Sequence, residues 1–563
     1  MRARWSVLAA AALLPLAVGC AGSQARDGSI EAMRDAADGS TDGEVLGRLV
    51  LGEMYAPGGD AGRAIAARRR LDEAAAKSRG MFASLARSLD DEQHGRFRAS
   101  ADEGLEAIAA ARTSGDPDAP LVGWFAANHT LNLRQGVANL WPRAKDIVNA
   151  AIDHPGNLGW RARSELVEWW TLDGFRDDAG GDATKTGLLD AGARRYGCVT
   201  EARIAGPFGH LAASDHRVKY EAERPGPWPA IFTKDPRRVD PPRVLKVEHF
   251  GCGLHATNAN GNGVFYVETY LDAPAEREVI VAVQGAFSLL VDDVEVLTRD
   301  PKVWGIWPRF GAHVKLAPGR HRVLARIGGP DTSIRVLAAD GTPADVTGSA
   351  DAAPPYTTAP PELMADVNAI EPFMTALGVP RQEGVPKSAP RPTSDPISRM
   401  LASYLAHLEG QHDVAAVLIE PLVKDPAKAT GPALALAAGY FDKDPIYPQA
   451  EARHAAQDAR DRAAKKDPEL WWPRLWLALD GPDTSLPDIA PKVQALADHF
   501  VEVPAISKGL AAIYGKVGWH VEQAAAVKEA ARRFPDDVEA LEALMHLYDQ
   551  EGRVRESDAL ATR

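Results

Sequence analysis

Apolar residues recur at three- and four-residue steps over Glu44 to Met54, Ala61 to Leu89, Phe97 to Ala111, Leu121 to Leu140, Pro142 to Ile152 and Arg161 to Trp170. That spacing gathers them on one face of a helix, so residues 44–196 are predicted to form stacked antiparallel helices. The stretches "APGGD" (56–60) and "HPGN" (154–157) are stop signals, and Pro142 suits a first helical turn. Trp124, Trp141, Trp160, Trp169 and Trp170 fall in this block and are expected to fill the space between helices.

Near residue 197 the period changes. "RVLKVEHF", "GVFYVETYL", "REVIVAVQG", "FSLLVDDVEVL" and "HRVLARIG" are short, β-branched and aromatic, and Gly, Asn, Asp or Pro separates them. Residues 197–345 are therefore predicted to be an antiparallel β-sandwich, with hairpins turning at Asp292-Asp293 and Pro318-Gly319. In "RHRVLARIG", Arg320, Arg322 and Arg326 alternate with His321, Val323, Ala325 and Ile327, which predicts one wet and one buried face. Ten prolines between Pro354 and Pro396 mark residues 346–397 as a connector, with Glu362 to Leu377 expected as a short helix inside it. Helical spacing returns over 398–563.

The N-terminus is a different kind of segment. Arg2 and Arg4 precede an apolar run from Trp5 to Gly19, shorter than the about 20 residues a spanning helix needs. "AVGC" (17–20), with Leu16 before it, resembles the lipobox of bacterial lipoproteins, although that family more often has leucine where Ala17 stands. The resemblance implies a signal peptide over 1–19, acylation of Cys20 as the lipid anchor, and, from Ala21 in place of aspartate, an outer-membrane address. Gly, Ser, Asp and Ala dominate residues 20–43, which read as a flexible tether.

Two further resemblances bear on the folded part. Leu510, Tyr514 and Gly518 recur 34 residues later as Leu544, Tyr548 and Gly552, a spacing similar to tetratricopeptide repeats. Ala511, Ala530 and Pro535 also match that family's small and terminating positions, whereas Ser507 and Gln523 depart from it. "IAGPFGH" (204–210), "FYVETYLDAP", "VAVQGAFSLLVDDVEV" and "VKLAPGRHRVLARIG" together resemble a galactose-binding-like jelly roll. The combined layout resembles a bacterial tetratricopeptide-repeat lipoprotein with an internal jelly-roll domain. The implied fold is multidomain α and β: a helical block, a jelly-roll-like β-sandwich and a C-terminal tetratricopeptide α-solenoid.

Charge and cysteine count narrow the functions. The chain carries 45% hydrophobic and 25% charged residues with a net charge of −13, which becomes −15 without Arg2 and Arg4. Such a surface argues against nucleic-acid binding. Once Cys20 is lipidated, Cys198 and Cys252 can pair in an oxidising envelope and close a loop of 54 residues; two buried free thiols are the other reading. "HFGCGLHATNANGNG" offers His249, Cys252 and His255, with Cys198 as a fourth zinc ligand, but three-residue spacing within one strand places His249 and Cys252 on opposite faces. Asn258, Asn260 and Asn262 could suit a hydroxyl-rich ligand; calcium wants carboxylates, and none lies near them. "HLEGQH" (407–412) spaces its histidines five apart, where one helical face needs four.

No catalytic residue, cofactor or metal is assigned. The expected function is a non-catalytic envelope scaffold, held on the membrane by its lipid anchor. It would take a protein partner on its helical repeats, with Lys508 and Glu542 as exposed candidates, and a carbohydrate on its β-sandwich. A carbohydrate-active enzyme and an outer-membrane assembly factor are the alternatives.

Overall fold

The structure, a computed structural model, describes residues 28–74, 80–174, 192–236, 238–301, 309–357, 359–366, 370, 373, 376–377, 394–443, 448–479 and 485–561. Cys20, the signal-like stretch and most of the Pro-rich connector lie outside the described residues.

The first helical stretch runs through Gly43–Tyr55, Ala61–Ala74, Met81–Gln93, Phe97–Thr113, Ala119–Leu133, Leu140–Asp153 and Gly159–Trp169. Asp42 caps the first of these by accepting from the Glu44 amide at 2.8 Å. At Gly47 a Cβ would fall 2.5 Å from the Phe82 carbonyl and the Ala83 amide, so the absent side chain lets Gly43–Tyr55 cross Met81–Gln93 backbone to backbone. All five tryptophans of the block are buried. The expected tether is shorter than predicted. Ile30–Ala37 is a helix capped by Ser29, Ile30 is buried, and Arg34 donates to the buried Glu53 at 2.7 Å. Small polar residues disguised this helix, because one buried isoleucine and one ion pair hold it down.

The later helices are Pro396–Leu408, His412–Val423, Gly431–Phe441, Gln449–Lys466, Trp471–Leu479, Leu486–His499, Pro504–Val517, His520–Arg533, Val538–Gln550 and Val554–Ala561. They do not form a separate unit. Val50, Phe125, Leu401, Leu405, Leu434 and Ile513 belong to one continuous hydrophobic core. The Gly58 amide donates to the Lys428 carbonyl at 2.7 Å, Phe125 packs on Tyr404 with centroids 4.6 Å apart, and the Arg98 amide donates to Glu502 at 3.0 Å. The predicted boundary between 44–196 and 398–563 is thus corrected: both stretches build one helical body, with the β-domain inserted between them. At its end, helix starts at 504 and 520 recur at 538 and 554, each pair turning on a left-handed glycine (Gly518, φ 77; Gly552, φ 72).

The inserted domain comprises β1 (Arg203–Phe208), β2 (Arg243–Phe250), β3 (Gly253–Thr257), β4 (Val264–Ala273), β5 (Arg277–Gln284), β6 (Ala286–Val291), β7 (Val294–Thr298), β8 (Arg309–Leu316), β9 (Gly319–Ile327), β10 (Asp331–Leu337), β11 (Thr347–Ser349) and β12 (Glu362–Asp366). Their order is β12-β8-β5-β10-β3-β2-β1-β4-β9-β6-β7, with β11 on β4 and every pairing antiparallel, giving a nearly closed sheet. Val279, Val281 and Val283 of β5 face Phe265 and Val267 of β4 and Val323 and Ala325 of β9 across the inner core. The opposite face of β5, Ile280 and Ala282, packs on Trp160 of the helical body.

Asp292-Asp293 turns the β6–β7 hairpin with φ of 51 and 67, the left-handed pair that a two-residue type I′ turn requires. Pro318-Gly319 also turns, but no hairpin results, because β8 pairs with β5 and β12 whereas β9 pairs with β4 and β6. Glu362–Asp366, expected at the start of a helix, is instead the edge strand β12 on β8. Cys198 and Cys252 are bonded, with Cα atoms 5.1 Å apart, joining the β2–β3 turn to the chain leaving the helical body.

Candidate ligand cleft

The predicted wet face of β9 is buried. Arg322 and Arg326 are no more than 1% exposed, because residues 212–236 and 238–242 fold over the outer side of β1, β4, β9 and β6. Ala222, Trp228 and Phe232 of this cover pack on Phe208, Tyr266, Leu290 and Leu324. Arg322 donates to Glu268 at 2.7 Å, to Asp293 at 2.6 Å, and to the cover's Ala222 carbonyl at 3.0 Å. Arg326 donates to Glu223 and to the His216 carbonyl, both in the cover, and the Tyr266 hydroxyl donates to Glu223 at 2.6 Å. Burial works against the charge on Arg322, but Glu268 and Asp293 outweigh it and hold the guanidinium above its ordinary range. Burial pushes the Tyr266 phenol well up. A desolvated charge persists only when partnered in this way, so the network fastens the cover to the sheet.

Arg238, near the end of the cover, makes the cleft. Its Nη1 donates to the Asn262 carbonyl at 2.9 Å and to the Gly209 carbonyl, clipping the "NANGNG" loop to the end of β1. Gly261 and Gly263 have positive φ (+88 and +151), and a Cβ on either would lie 3.3 Å from the Arg238 guanidinium. Glycine there lets the loop close around the arginine. Between loop, cover and β2 lies a cavity of about 380 Å³, bordered by Pro207, His210, Arg238, Asp240, Arg243, Asn258, Asn260 and Asn262. This lies within the ordinary range of small-ligand sites. The peptide bond before Pro207 is cis. Asp215 accepts from the His210 amide at 2.6 Å, fixing the backbone that carries that imidazole. A wider depression of about 670 Å³ lies at the cover's other side, but its Glu223, Asp293 and Glu221 are already engaged with Arg326, Arg322 and Thr233.

The structure unites Asn258, Asn260 and Asn262, the loop singled out for a hydroxyl-rich ligand, with His210, Arg238 and Arg243, which no spacing pattern marks. The zinc set does not assemble: Cys252 is in the disulfide, and His255 pairs with Asp331. Among the described residues no group of three His, Cys, Asp or Glu side chains could hold a metal. His407 and His412, unsuited by spacing to one helical face, meet across two helices with Nδ1 atoms 3.2 Å apart. Burial first, then His412, pulls His407 down to about 4.

Lys508 is not the free side chain expected. It donates to Asp537 at 2.9 Å and to Glu539 at 2.7 Å, tying Pro504–Val517 to the start of Val538–Gln550. These two carboxylates stand 29 and 31 residues downstream, where only the turn of the second helix pair brings them back. Glu542 is exposed. Among the described residues no helix is long and apolar enough to cross a membrane. No family model, curated protein or solved structure matches the chain.

Proposed function

We propose that the protein is a non-catalytic binding scaffold of the bacterial envelope, anchored through acylated Cys20, with the β-domain cleft as its ligand site. The observation that carries this reading is the cleft itself. Three asparagines stand around a cavity of ligand size, on a loop clipped by Arg238 and a cover fastened by buried ion pairs. Amide side chains donate and accept at once, as sugar hydroxyls do, and a fixed loop loses little entropy on binding. The β-domain is read as jelly-roll-like, and the 34-residue helix pairs as tetratricopeptide-like. In that reading the exposed side of Val538–Gln550, with Glu542, receives a protein partner.

Affinity electrophoresis of the full chain through gels containing envelope polysaccharides tests the ligand reading. The wild type is expected to be retarded and Asn260→Ala to migrate freely. Equal migration of both in every polysaccharide would defeat it. Release of reducing sugar during the same incubation would favour a carbohydrate-active enzyme instead.

A further inference from the structure

Charge in the cleft runs against charge in the chain. The protein as a whole carries −13, yet the charged side chains bordering the cavity are Arg238 and Arg243 against Asp240, with His210 beside them. Arg238 spends Nη1 on the Asn262 and Gly209 carbonyls, but its buried Nε–H has no partner among the described residues. Arg243 lies at the start of β2, is exposed, and has no side-chain partner among the described residues. A guanidinium offers several N–H donors in a plane, the geometry that matches a carboxylate.

From this we infer that the cleft selects a carboxylate-bearing sugar, such as a uronic acid or a lactyl-ether amino sugar, over its neutral counterpart. The inference rests on the proposed role of the cleft as a hydroxyl-binding site and adds the acid group. Arg243 receives the carboxylate, while Asn258, Asn260 and Asn262 receive ring hydroxyls. Asp240 stands on the same rim and repels a second acid group, so the site takes one carboxylate per bound sugar unit.

Matched probes separate the two layers of the inference. The methyl glycosides of glucose and glucuronate, galactose and galacturonate, and N-acetylglucosamine and N-acetylmuramate differ within each pair only by the acid-bearing group. Titrated into the full chain and followed by NMR, the acid member of at least one pair is expected to bind roughly tenfold more tightly, the scale of one charge-assisted hydrogen bond. Arg243→Gln, which leaves the Arg238 clip intact, should bring that pair to within about twofold. Asn260→Ala should weaken both members together, and an unchanged melting curve would show that each variant is folded. If acid and neutral members bind equally, or Arg243→Gln keeps the preference, the acid inference fails while the hydroxyl-binding reading stands. Should acetate compete as well as the sugar acids, the site is a plain carboxylate site and the inference is overturned. If no member of any pair binds, both readings fall.

Discussion

Glu268 is where the cover should be weakest. The residue is 0% exposed and accepts from Arg322 at 2.7 Å as well as from Arg203. Glu268→Ala leaves Arg322 buried with Asp293 as its sole remaining carboxylate among the described residues and strands Arg203 beside it. Removing one partner of a buried ion pair costs about 3–5 kcal/mol. Arg322 also donates to the Ala222 and Arg224 carbonyls, so the loss falls on the contact between cover and sheet and not on the inner core. A multidomain chain has no single unfolding free energy, so amide hydrogen exchange over residues 212–242 is the appropriate assay. At about 1.4 kcal/mol per tenfold, exchange in the cover should speed up by roughly two to three and a half orders of magnitude. The strands β5 and β8 on the far side should exchange as before. Glu268→Gln keeps an acceptor for Arg322 and should cost less, on the order of the 1.5–3 kcal/mol of a charge-assisted hydrogen bond. Exchange within threefold of wild type in Glu268→Ala would refute the assignment of the network as the cover's fastening. Uniform acceleration through β5 and β8 would refute its locality.

Cys20→Ser should release the exported protein from membranes, and sedimentation with membranes after a high-salt wash would remove the anchor. Cys198→Ser should destabilise the β-domain by about 4 kcal/mol in the chain-entropy model, and non-reducing peptide mapping of the wild type should show the two cysteines joined. Burial pulls His129 down to about 4, so the unfolded chain takes up a proton there that the folded chain refuses. Its contribution to stability is complete above the ordinary imidazole range and is lost as pH falls from about 6.5 to about 4, a slope that His129→Gln should flatten in denaturation midpoints across that window.

How far this architecture could be read from the chain depended on how local each signal is. Helical spacing and the turn at Asp292-Asp293 are set within a few residues, and both appear where expected. The type I′ turn needs only its two left-handed residues. Pro318-Gly319 is equally local as a turn, yet whether the following strand folds back on the preceding one is decided by β4, nearly fifty residues upstream in the register (Asp272 opposite Arg320). The alternation in β9 was legible and its apolar face is buried as expected, but the arginine face is covered as well. Arginine at every second position signals water unless another segment covers it, and the carboxylate that neutralises Arg326 lies 103 residues away at Glu223. The cleft fell between these cases. Its asparagines stand close together in sequence and drew notice, whereas Arg238 and Arg243 carry no pattern that marks them as neighbours of that loop.

Insertion of the β-domain into the helical body bears on how a scaffold could work. Had the two helical stretches formed separate domains, the β-domain would swing on two linkers, and a ligand in its cleft would have no fixed relation to a partner on the helices. Their shared core places the domain's entry and exit on one body. The outer face of β5 and β8 then rests on Trp160 at close range: a Cβ at Gly311 would lie 3.1 Å from the indole, and one at Gly341 only 2.9 Å from the Trp160 backbone. Glycine at both positions permits that approach, and the Cys198–Cys252 bond ties the β2–β3 turn to the domain's root. Cleft and helical surface therefore belong to one packed unit, so a ligand and a partner bound together would be held at a set separation. A tethered pair of modules would give only the averaged effective concentration of a flexible linker, and here the geometry itself would decide whether both can bind at once.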